Sequence, residues 1–496
     1  MKKSVRIIFS ILCCVCSVLI CASAPNKSNT IYNEQEDAVQ ALCGGYGYGA
    51  YGACIQSPGA QAGAYVYAGT GLPYLAPGTP VIIPDSLQVL FVNHIGRHGA
   101  RYLSSDKFSS KVENELGRAG ELSFAGKRVE KLCQVTDSLS VGHWGALDAV
   151  GKSEQSAIGQ RFAERYNGLL TSNDSIIGFS SYIPRCVMSM DEMTHGVVWV
   201  NRDIEMSTGS GKRFSPLLRA FDVDEHFRAY QKQDDWHKAY DAFYDSVCPT
   251  AVALRLTSQG SRFLQHLCRE LIAQGVEPAG GPLEVALADT LSGVWPPEWE
   301  VEAGMSKQRA QEVAFALYRI VGGTQSLFMT ENVGEDVYTG WQNYFTEQEY
   351  AHLWECANLK HYLEWTTTAY GDTPSRMAVP LLRELLNTMS AAAEPGYDGP
   401  AAIVRFGHAE TLMPLYALMQ LPGCFYVTDN LADVSAHWQD YDVVPMAANL
   451  QMVLTRSKVT GIEYLLMYRN EQLISVPERW SVAKARLEGY CQPSAE

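Results

Sequence analysis

Three residues with the chemistry of a phosphate site lie together in one short turn. The apolar stretch from Leu87 to Val92, interrupted by Gln88, predicts a buried strand, and Arg97, His98 and Arg101 follow it in a glycine-containing turn. A neutral imidazole nitrogen can attack phosphorus, and guanidinium groups bind phosphate through paired hydrogen bonds. Their charge also disfavours protonation of the histidine. We therefore predict that His98 is a nucleophile and that Arg97 and Arg101 hold a transferred phosphate; the alternative is a surface turn without function.

A second polar motif follows another predicted strand far along the chain. Residues 402–406 are apolar apart from one arginine, His408 and Glu410 come next, and the stretch from Leu412 to Met419 has the composition of a helix. The oxygen that leaves a phosphomonoester needs a proton, so Glu410 is a candidate general acid. His408 is a candidate phosphate ligand. Taken alone, this motif is also compatible with the start of an ordinary helix.

Two further cations are candidates for the same site. Arg185 closely follows a predicted strand at residues 176–180, and α/β sheets place ligands at the carboxyl ends of their strands. Three arginines would then meet at one edge of the sheet. Lys107 begins a predicted helix after Ser104, Ser105 and Asp106, and it is either a substrate ligand or a solvated lysine.

The N-terminal region divides into two parts. Residues 1–24 have basic residues, then an apolar run, then small residues, which is the pattern of a secretory signal peptide. We therefore expect export to the periplasm, the cell surface or the medium, with a lipid anchor at Cys21 as the less favoured outcome. Residues 25–84 are rich in Gly, Ala and Tyr and are expected to be a linker, or an irregular segment that packs loosely.

The remaining chain predicts an α/β domain that contains an insertion. Residues 85–200 and 367–490 hold the predicted strands and the candidate site, and we assign them to an α/β catalytic domain. Residues 201–366 are rich in aromatic and acidic residues and show helical periodicity, so we predict an inserted α-rich domain that forms the second wall of the cleft. Its loops would determine which substrates are accepted.

Composition excludes several classes of function. The 496 residues include 54 acidic and 39 basic side chains, and the net charge of −15 argues against non-specific nucleic-acid binding. Nine of the 13 cysteines follow the predicted signal, and none has the spacing of a zinc site. We expect no metal, no cofactor and no membrane span. The pairing of the cysteines and the oligomeric state are not predicted.

Several motifs together resemble those of the histidine acid phosphatases (clade 2). They are Arg97-His98-Gly99-Ala100-Arg101, the segment from Pro184 to Ser189 that contains Arg185, and the segment from Phe406 to Leu412. The His-Ala-Glu sequence at 408–410, where many relatives have His-Asp, is similar to the multiple inositol polyphosphate phosphatase and phytase branch. Segments 444–450 and 465–471 resemble the same branch. The resemblance covers roughly residues 85 to 480, and its middle part is weak.

The resemblance implies a phosphoglycerate-mutase-like α/β domain with a central mixed sheet and an inserted α-rich domain. It implies that His98 becomes phosphorylated, that Arg97, Arg101, Arg185 and His408 hold the phosphate, and that Glu410 protonates the leaving oxygen. Two features depart from it. Leu103 stands where relatives often have proline, and His94 has no assigned role, so we expect it to be packed or solvated.

The function expected from these motifs is a secreted phosphatase that hydrolyses inositol polyphosphates such as phytate. Two alternatives remain open at this stage: a broad-specificity acid phosphatase for sugar or nucleotide phosphates, and a non-catalytic surface protein that binds phosphorylated ligands. The intact His98 and Glu410 disfavour the second alternative, because binding alone needs neither a nucleophile nor a proton donor.

Overall fold

The computed structural model describes residues 63–78, 83–171, 174–273 and 295–493. The predicted signal peptide and Cys21 lie outside these ranges. Eight strands form one mixed sheet, in the order β3-β2-β4-β1-β5-β6-β7, with β8 also paired to β6. The strands are β1 Leu87–Arg97, β2 Ser175–Ser180, β3 Glu205–Ser210, β4 Ala402–Gly407, β5 Asn449–Ser457, β6 Glu463–Arg469, β7 Gln472–Leu473 and β8 Glu478–Arg479.

The α-helices lie on both faces of the sheet and in a separate helical region. Up to residue 273 they are α1 Lys107–Leu116, α2 Phe124–Ser140, α3 Ala149–Arg165, α4 Pro184–Val200, α5 Ser215–Leu218, α6 Glu225–Tyr230, α7 Asp234–Val247, α8 Ala251–Leu254 and α9 Ser258–Ala273. From residue 295 they are α10 Pro297–Ala303, α11 Lys307–Gly323, α12 Gln325–Thr330, α13 Glu347–Trp365, α14 Thr373–Arg376, α15 Val379–Ala393, α16 Ala409–Leu418, α17 Val434–His437, α18 Asp440–Val443 and α19 Trp480–Tyr490.

Four neighbouring strands are parallel, and this brings the predicted motifs together. Strand β4 pairs in parallel with β1 and with β2, and β2 pairs in parallel with β3. The carboxyl ends of β1, β4 and β2 therefore lie side by side, where a ligand site is expected in an α/β sheet. The fold predicted from the sequence, an α/β structure around a central mixed sheet, is confirmed.

The two faces of β1 explain the layered arrangement, because successive side chains of a strand point to opposite faces. Phe91 and Ile95 pack into a cluster with α15 and α16, whereas Val92 packs into a cluster with α3 and α4. Both faces are covered by helices, so β1 is apolar along most of its length without strict alternation. This position in the middle of the sheet fixes the turn that follows it.

A third apolar cluster joins helices from distant parts of the sequence. It contains Val112 of α1, Leu132 of α2, Leu317 of α11 and Leu353 of α13. Helices α1 and α2, which come from the range assigned to the α/β domain, therefore share a core with helices of the predicted insertion. Strand β3 lies within the range 201–366 and pairs with the edge of the sheet. Its sequence, Glu-Met-Ser-Thr-Gly-Ser, is polar, which explains why the sequence pattern did not predict a strand.

Residues 63–78, part of the segment expected to be a linker or to pack loosely, contact the rest of the protein. A 3₁₀-helix covers Gly63–Gly71, and Val66, Ala68 and Leu72 are buried. The backbone oxygen of Leu72 accepts a hydrogen bond from the Met446 N–H at 2.9 Å. Composition alone suggests flexibility here, but burial of these small apolar side chains fixes the segment.

None of the helices in the described ranges is long and apolar enough to cross a membrane.

Candidate active site

The turn after β1 is held by backbone contacts with α3. A Cβ atom on Gly99 would lie 2.6 Å from the Gly151 carbonyl oxygen, and one on Gly151 would lie 2.0 Å from that of Ala100. Glycine at both positions lets the helix approach the turn at this distance. Glu154 of α3 accepts hydrogen bonds from the backbone N–H groups of Ala100 at 2.7 Å and Tyr74 at 2.6 Å. The helix therefore fixes the conformation of the turn.

His98 is buried and has one ring nitrogen tied to the backbone. Its Nδ1 lies 2.9 Å from the carbonyl oxygen of Gly99, which can only accept, so Nδ1 carries the proton. Nε2 is left with its lone pair. Burial, and then the charges of Arg185, Arg97 and Arg101, lower the pKa of His98 well below its ordinary value. The lowered pKa favours the neutral ring, whose Nε2 lone pair could act as a nucleophile.

Arg97 and Arg101 flank His98 and are both anchored through part of the guanidinium group. Arg97 Nη1 donates to the carbonyl oxygens of Thr70 at 2.7 Å and Val444 at 2.6 Å, and Arg101 Nη1 donates to that of Tyr102 at 2.8 Å. The Nε of each is buried without a partner. Burial lowers the pKa of Arg97 to about 10 and of Arg101 to about 9. Both remain charged at neutral pH, and an anion would complete their hydrogen bonds.

Arg185 and His408 meet at the carboxyl ends of β2 and β4. Arg185, at the start of α4, places Nη2 3.3 Å from Nδ1 of His408. The rings of His98 and His408 have centroids 5.7 Å apart. Burial, and then the charges of Arg185, Arg219 and Arg97, lower the pKa of His408 to about 3, against an opposing effect of Glu410. The structure thus brings together all three arginines and both histidines.

Glu410 is the second residue of α16 and is partly buried. Burial raises the pKa of its carboxyl group, but the effects of His408, the residue's own backbone N–H, Arg97 and Arg185 outweigh burial and lower it from the ordinary value. Because His408 is itself neutral above about pH 3, we assign the lowering to the N–H and the two arginines. The lowered pKa favours the ionised form of Glu410 at neutral pH.

Arg219 is a site residue that the sequence analysis missed. It lies between α5 and a 3₁₀-helix at Ala220–Asp222, and its Nη1 is 3.0 Å from Nε2 of His408. Its guanidinium group forms a two-point ion pair with Asp222, at 2.6 and 3.2 Å. The surrounding sequence has no glycine-rich turn and no preceding predicted strand, so no local signal distinguishes this arginine.

Several cations surround the cleft on the side of Arg101. Lys107 and Arg319 line the same cleft as Arg97 and Arg101. Burial, and then the charges of Arg319, Lys360 and Arg101, lower the pKa of Lys107. His361 also lines the cleft and is hydrogen-bonded through Nδ1 to the buried Asp440 at 2.7 Å. The predicted Lys107 is thus near the arginines, at the opening of the cleft.

Leu103 shows how the turn stays ordered without the proline that relatives often have. Its backbone oxygen accepts a hydrogen bond from the Gly145 N–H at 2.7 Å. A Cβ atom on Gly323 would lie 2.5 Å from Leu103 Cδ2, so the buried side chain packs against the end of α11. His94 is a packed histidine. It lies between Phe162 and Phe406, and burial lowers its pKa to about 3.

Within the described ranges, no group of three or more histidine, cysteine, aspartate or glutamate side chains is arranged to hold a metal ion. The cations at this site are side chains, and they are arranged to bind an anion.

Residues 88–198 match the model of the histidine phosphatase superfamily (branch 2). This range contains Arg97, His98, Arg101 and Arg185, and the match confirms the resemblance inferred from the sequence. It supports a phosphatase activity for the chain. No curated protein matches the chain at a significant level.

Solved structures with the same fold include a multiple inositol polyphosphate phosphatase and a phytase. The multiple inositol polyphosphate phosphatase of Bifidobacterium longum, in complex with inositol hexasulfate, has a TM-score of 0.64 and 19% identity, over 85% of this chain and 97% of that one. A phytase of D. castellii has a TM-score of 0.53 and 14% identity, over 90% of each chain. The fold of this protein is therefore that of the histidine phosphatases.

Proposed function

We propose that this protein is an exported phosphomonoesterase that hydrolyses inositol polyphosphates through a phosphohistidine at His98. The observation that carries the proposal is the state of His98. Its Nδ1 is hydrogen-bonded to the Gly99 carbonyl oxygen, which leaves the lone pair on Nε2, and three arginines close enough to lower its pKa can bind the phosphoryl oxygens. Export follows from the predicted signal at residues 1–24.

In the first step, Nε2 of His98 attacks phosphorus and the bond between phosphorus and the ester oxygen breaks. Arg97, Arg101 and Arg185 balance the charge on the phosphoryl oxygens. Glu410 gives its proton to the departing alkoxide, so the alcohol leaves neutral and the carboxylate remains. The products of this step are the alcohol and phosphorylated His98.

In the second step, a water molecule attacks the phosphorus of the phosphohistidine. Glu410, now a carboxylate, accepts a proton from this water, and the bond between phosphorus and Nε2 breaks. Inorganic phosphate is released and the histidine is again neutral. Glu410 alternates between acid and base, so each turnover restores its protonation state.

The protonation of Glu410 depends on whether the site is occupied. In the empty site its pKa is lowered, which favours the carboxylate. A bound phosphate group offsets the charges of Arg97 and Arg185, and this removes the interaction that keeps the carboxyl ionised. Binding of the substrate is therefore expected to raise the pKa of Glu410 and to load it with the proton that the first step uses.

The cations beyond the reacting site favour a substrate with several phosphate groups. Lys107 and Arg319 lie along the cleft from Arg101, and Lys360 is close enough to lower the pKa of Lys107. A single phosphate group is already matched by the three arginines and His408. Like charges placed together destabilise an empty site, so the additional cations are best explained by further phosphates on the same molecule.

The test is phosphate release from phytate and from p-nitrophenyl phosphate by the purified mature protein and its His98→Ala variant, in buffer with a chelator. We expect release by the wild type from both substrates, and none above background by the variant. Wild type quenched in alkaline denaturant, in which the P–N bond is stable, should carry a phosphoryl group on the peptide that contains His98. No turnover of either substrate by correctly folded wild type would refute the enzyme. Turnover of p-nitrophenyl phosphate but not phytate would refute the substrate assignment.

A further inference from the structure

We propose that Arg219 is a positioning residue that fixes the tautomer of His408, so that the Nδ1–H of this ring faces the transferred phosphate. The inference rests on the proposed function, since it gives His408 the task of donating a hydrogen bond to a phosphoryl oxygen. A neutral imidazole has one N–H and one lone pair, and only the N–H can serve an anion. The contacts of the two nitrogens decide which one carries the proton.

The contact at Nε2 favours the lone pair on that atom. Nη1 of Arg219 lies 3.0 Å from Nε2, and a guanidinium group can only donate. A proton on Nε2 would point at another proton. The hydroxyl of Ser181, also 3.0 Å from Nε2, can rotate to donate and is compatible with this arrangement. With the lone pair on Nε2, the ring proton is on Nδ1.

The contact with Arg185 would instead favour the lone pair on Nδ1, because Nη2 of Arg185 lies 3.3 Å from Nδ1 and can also only donate. A neutral ring has one lone pair, so it can accept a hydrogen bond from only one of the two arginines. The two arginines also differ in how firmly other residues hold them. Arg219 is held by Asp222 at two points and stacks on the rings of Phe221 and Tyr182, at 4.6 and 5.4 Å. Arg185 has no carboxylate partner among the described residues, and its Nε is buried without a hydrogen bond.

The arriving phosphate resolves this conflict. Arg185 is free to turn its guanidinium group from Nδ1 toward the anion, whereas Arg219 stays on Nε2. The Nδ1–H of His408 then faces the same anion, and both groups donate to it. The ring is next to the nucleophile, with 5.7 Å between its centroid and that of His98. The other tautomer would direct a lone pair at the phosphate and lose a hydrogen bond.

The test reads the tautomer directly by ¹⁵N NMR of histidine-labelled protein at pH 6, with inorganic phosphate bound, and the His408 signals are identified by their absence in His408→Gln. We expect protonated Nδ1 and unprotonated Nε2 in the wild type. In Arg219→Met, the proton should shift toward Nε2, where Ser181 can accept it. Arg219→Lys, which keeps a charged donor, should restore the wild-type pattern at least in part.

Activity provides the second readout. Arg219→Met is expected to lower kcat/KM for p-nitrophenyl phosphate about 10-fold, the effect of losing one hydrogen bond, and Arg219→Lys should recover part of it. The control is Arg213→Met, an exposed arginine of the neighbouring 3₁₀-helix, which should change neither readout. A wild-type ring protonated on Nε2 would overturn the inference, and so would an unchanged tautomer in folded Arg219→Met. An inactive wild type with the expected tautomer would refute only the proposed function.

Discussion

At the scale of single residues, two buried histidines four positions apart have different roles. His94 and His98 are both neutral because burial lowers their pKa values. His94 packs between two phenylalanines, and neither of its ring nitrogens has a hydrogen-bond partner among the described residues. His98 has one nitrogen held by a carbonyl oxygen, and three arginines are close enough to lower the pKa of its ring. Burial alone therefore does not distinguish the two histidines; the nucleophilic role proposed for His98 rests on the hydrogen bond that fixes its tautomer, together with nearby cations.

The role of Glu410 can be tested through the leaving group. Glu410→Gln removes the proton donor, and general acid catalysis contributes about 10²–10⁴-fold, so the first step with phytate should slow by this factor. Nitrophenolate leaves without a proton, so formation of the phosphohistidine from p-nitrophenyl phosphate should be much less affected. Its hydrolysis should be slow, because the base is also missing. We expect a rapid burst of about one nitrophenol per protein, followed by slow turnover, in stopped-flow absorbance.

The pH dependence of the wild type follows from the same group. The first step needs protonated Glu410, so kcat should fall as pH rises through the pKa that this carboxyl has in the substrate complex. The pKa of His98 is lowered, so any loss of activity through its protonation should come at a lower pH than for an ordinary histidine. An activity that keeps rising into the alkaline range, or a Glu410→Gln variant without a burst, would contradict the assignment.

The residues that sequence could identify are those in compact motifs. Arg97, His98 and Arg101 lie within five positions, and His408 and Glu410 within three, so their types and spacing were informative. Arg219 is 189 positions from His408, and only the fold brings them into contact. Spacing along the chain carries no information about such a pair, which is why the fourth arginine was not predicted.

At the scale of elements, helix α3 connects the nucleophile turn to the N-terminal segment. Both oxygens of Glu154 accept backbone hydrogen bonds, one from Ala100 in the turn and one from Tyr74. Burial raises the pKa of this carboxyl group to about 7, although the two N–H donors and Arg97 oppose the effect. The folded state therefore binds a proton that the unfolded chain releases at a lower pH.

This difference predicts how stability changes with pH. Below the unfolded pKa, about 4.5, Glu154 is protonated in both states and its contribution is fully present. Between about pH 4.5 and 7 the unfolded chain alone releases the proton, so stability falls as pH rises, by about 3 kcal/mol in total. Urea unfolding at pH 5 and pH 8 should show this loss in the wild type. Residue 154 cannot titrate in Glu154→Gln, so the free energy of unfolding of this variant should fall less between the two pH values, by the amount that Glu154 contributes.

The matched control is Glu164→Gln, which changes an exposed glutamate on the same helix. It should show the same pH dependence as the wild type. If Glu154→Gln and Glu164→Gln lose equal stability between pH 5 and pH 8, the raised pKa of Glu154 is wrong.

The sequence predicted most elements of the sheet because their patterns are local. Strands β1, β2 and β4 are apolar runs that end in turns. Strand β3 was not predicted because it is an edge strand with polar residues and has no apolar run.

At the scale of the whole molecule, the division into an α/β domain and an inserted α-rich domain remains a proposal. Helices α1 and α11 share one apolar cluster, so the two ranges pack through a common core. Sequence patterns identify helices but do not say which of them pack together, since any amphipathic face can bury itself against several partners. The position of Lys107 on α1, facing Arg319 of α11, results from this packing.

The charge of the molecule makes these cleft cations important for a polyanionic substrate. The net charge of −15 repels phytate at long range, so binding must depend on cations close to the ligand. Lys107→Gln combined with Arg319→Gln should lower kcat/KM for phytate about 10-fold, since each exposed ion pair contributes up to about 1 kcal/mol. The value for p-nitrophenyl phosphate, which has one phosphate group, should change little, because the reacting site is intact.

The control for this prediction carries the same change in net charge at a distance from the cleft. Lys458 lies in the turn between β5 and β6, and Lys484 lies on α19. Lys458→Gln combined with Lys484→Gln should leave both substrates unaffected if local contacts dominate. An equal loss for phytate in both double variants would show that the long-range field determines capture. A parallel loss for both substrates in Lys107→Gln/Arg319→Gln would place these cations at the reacting phosphate instead of at a second one.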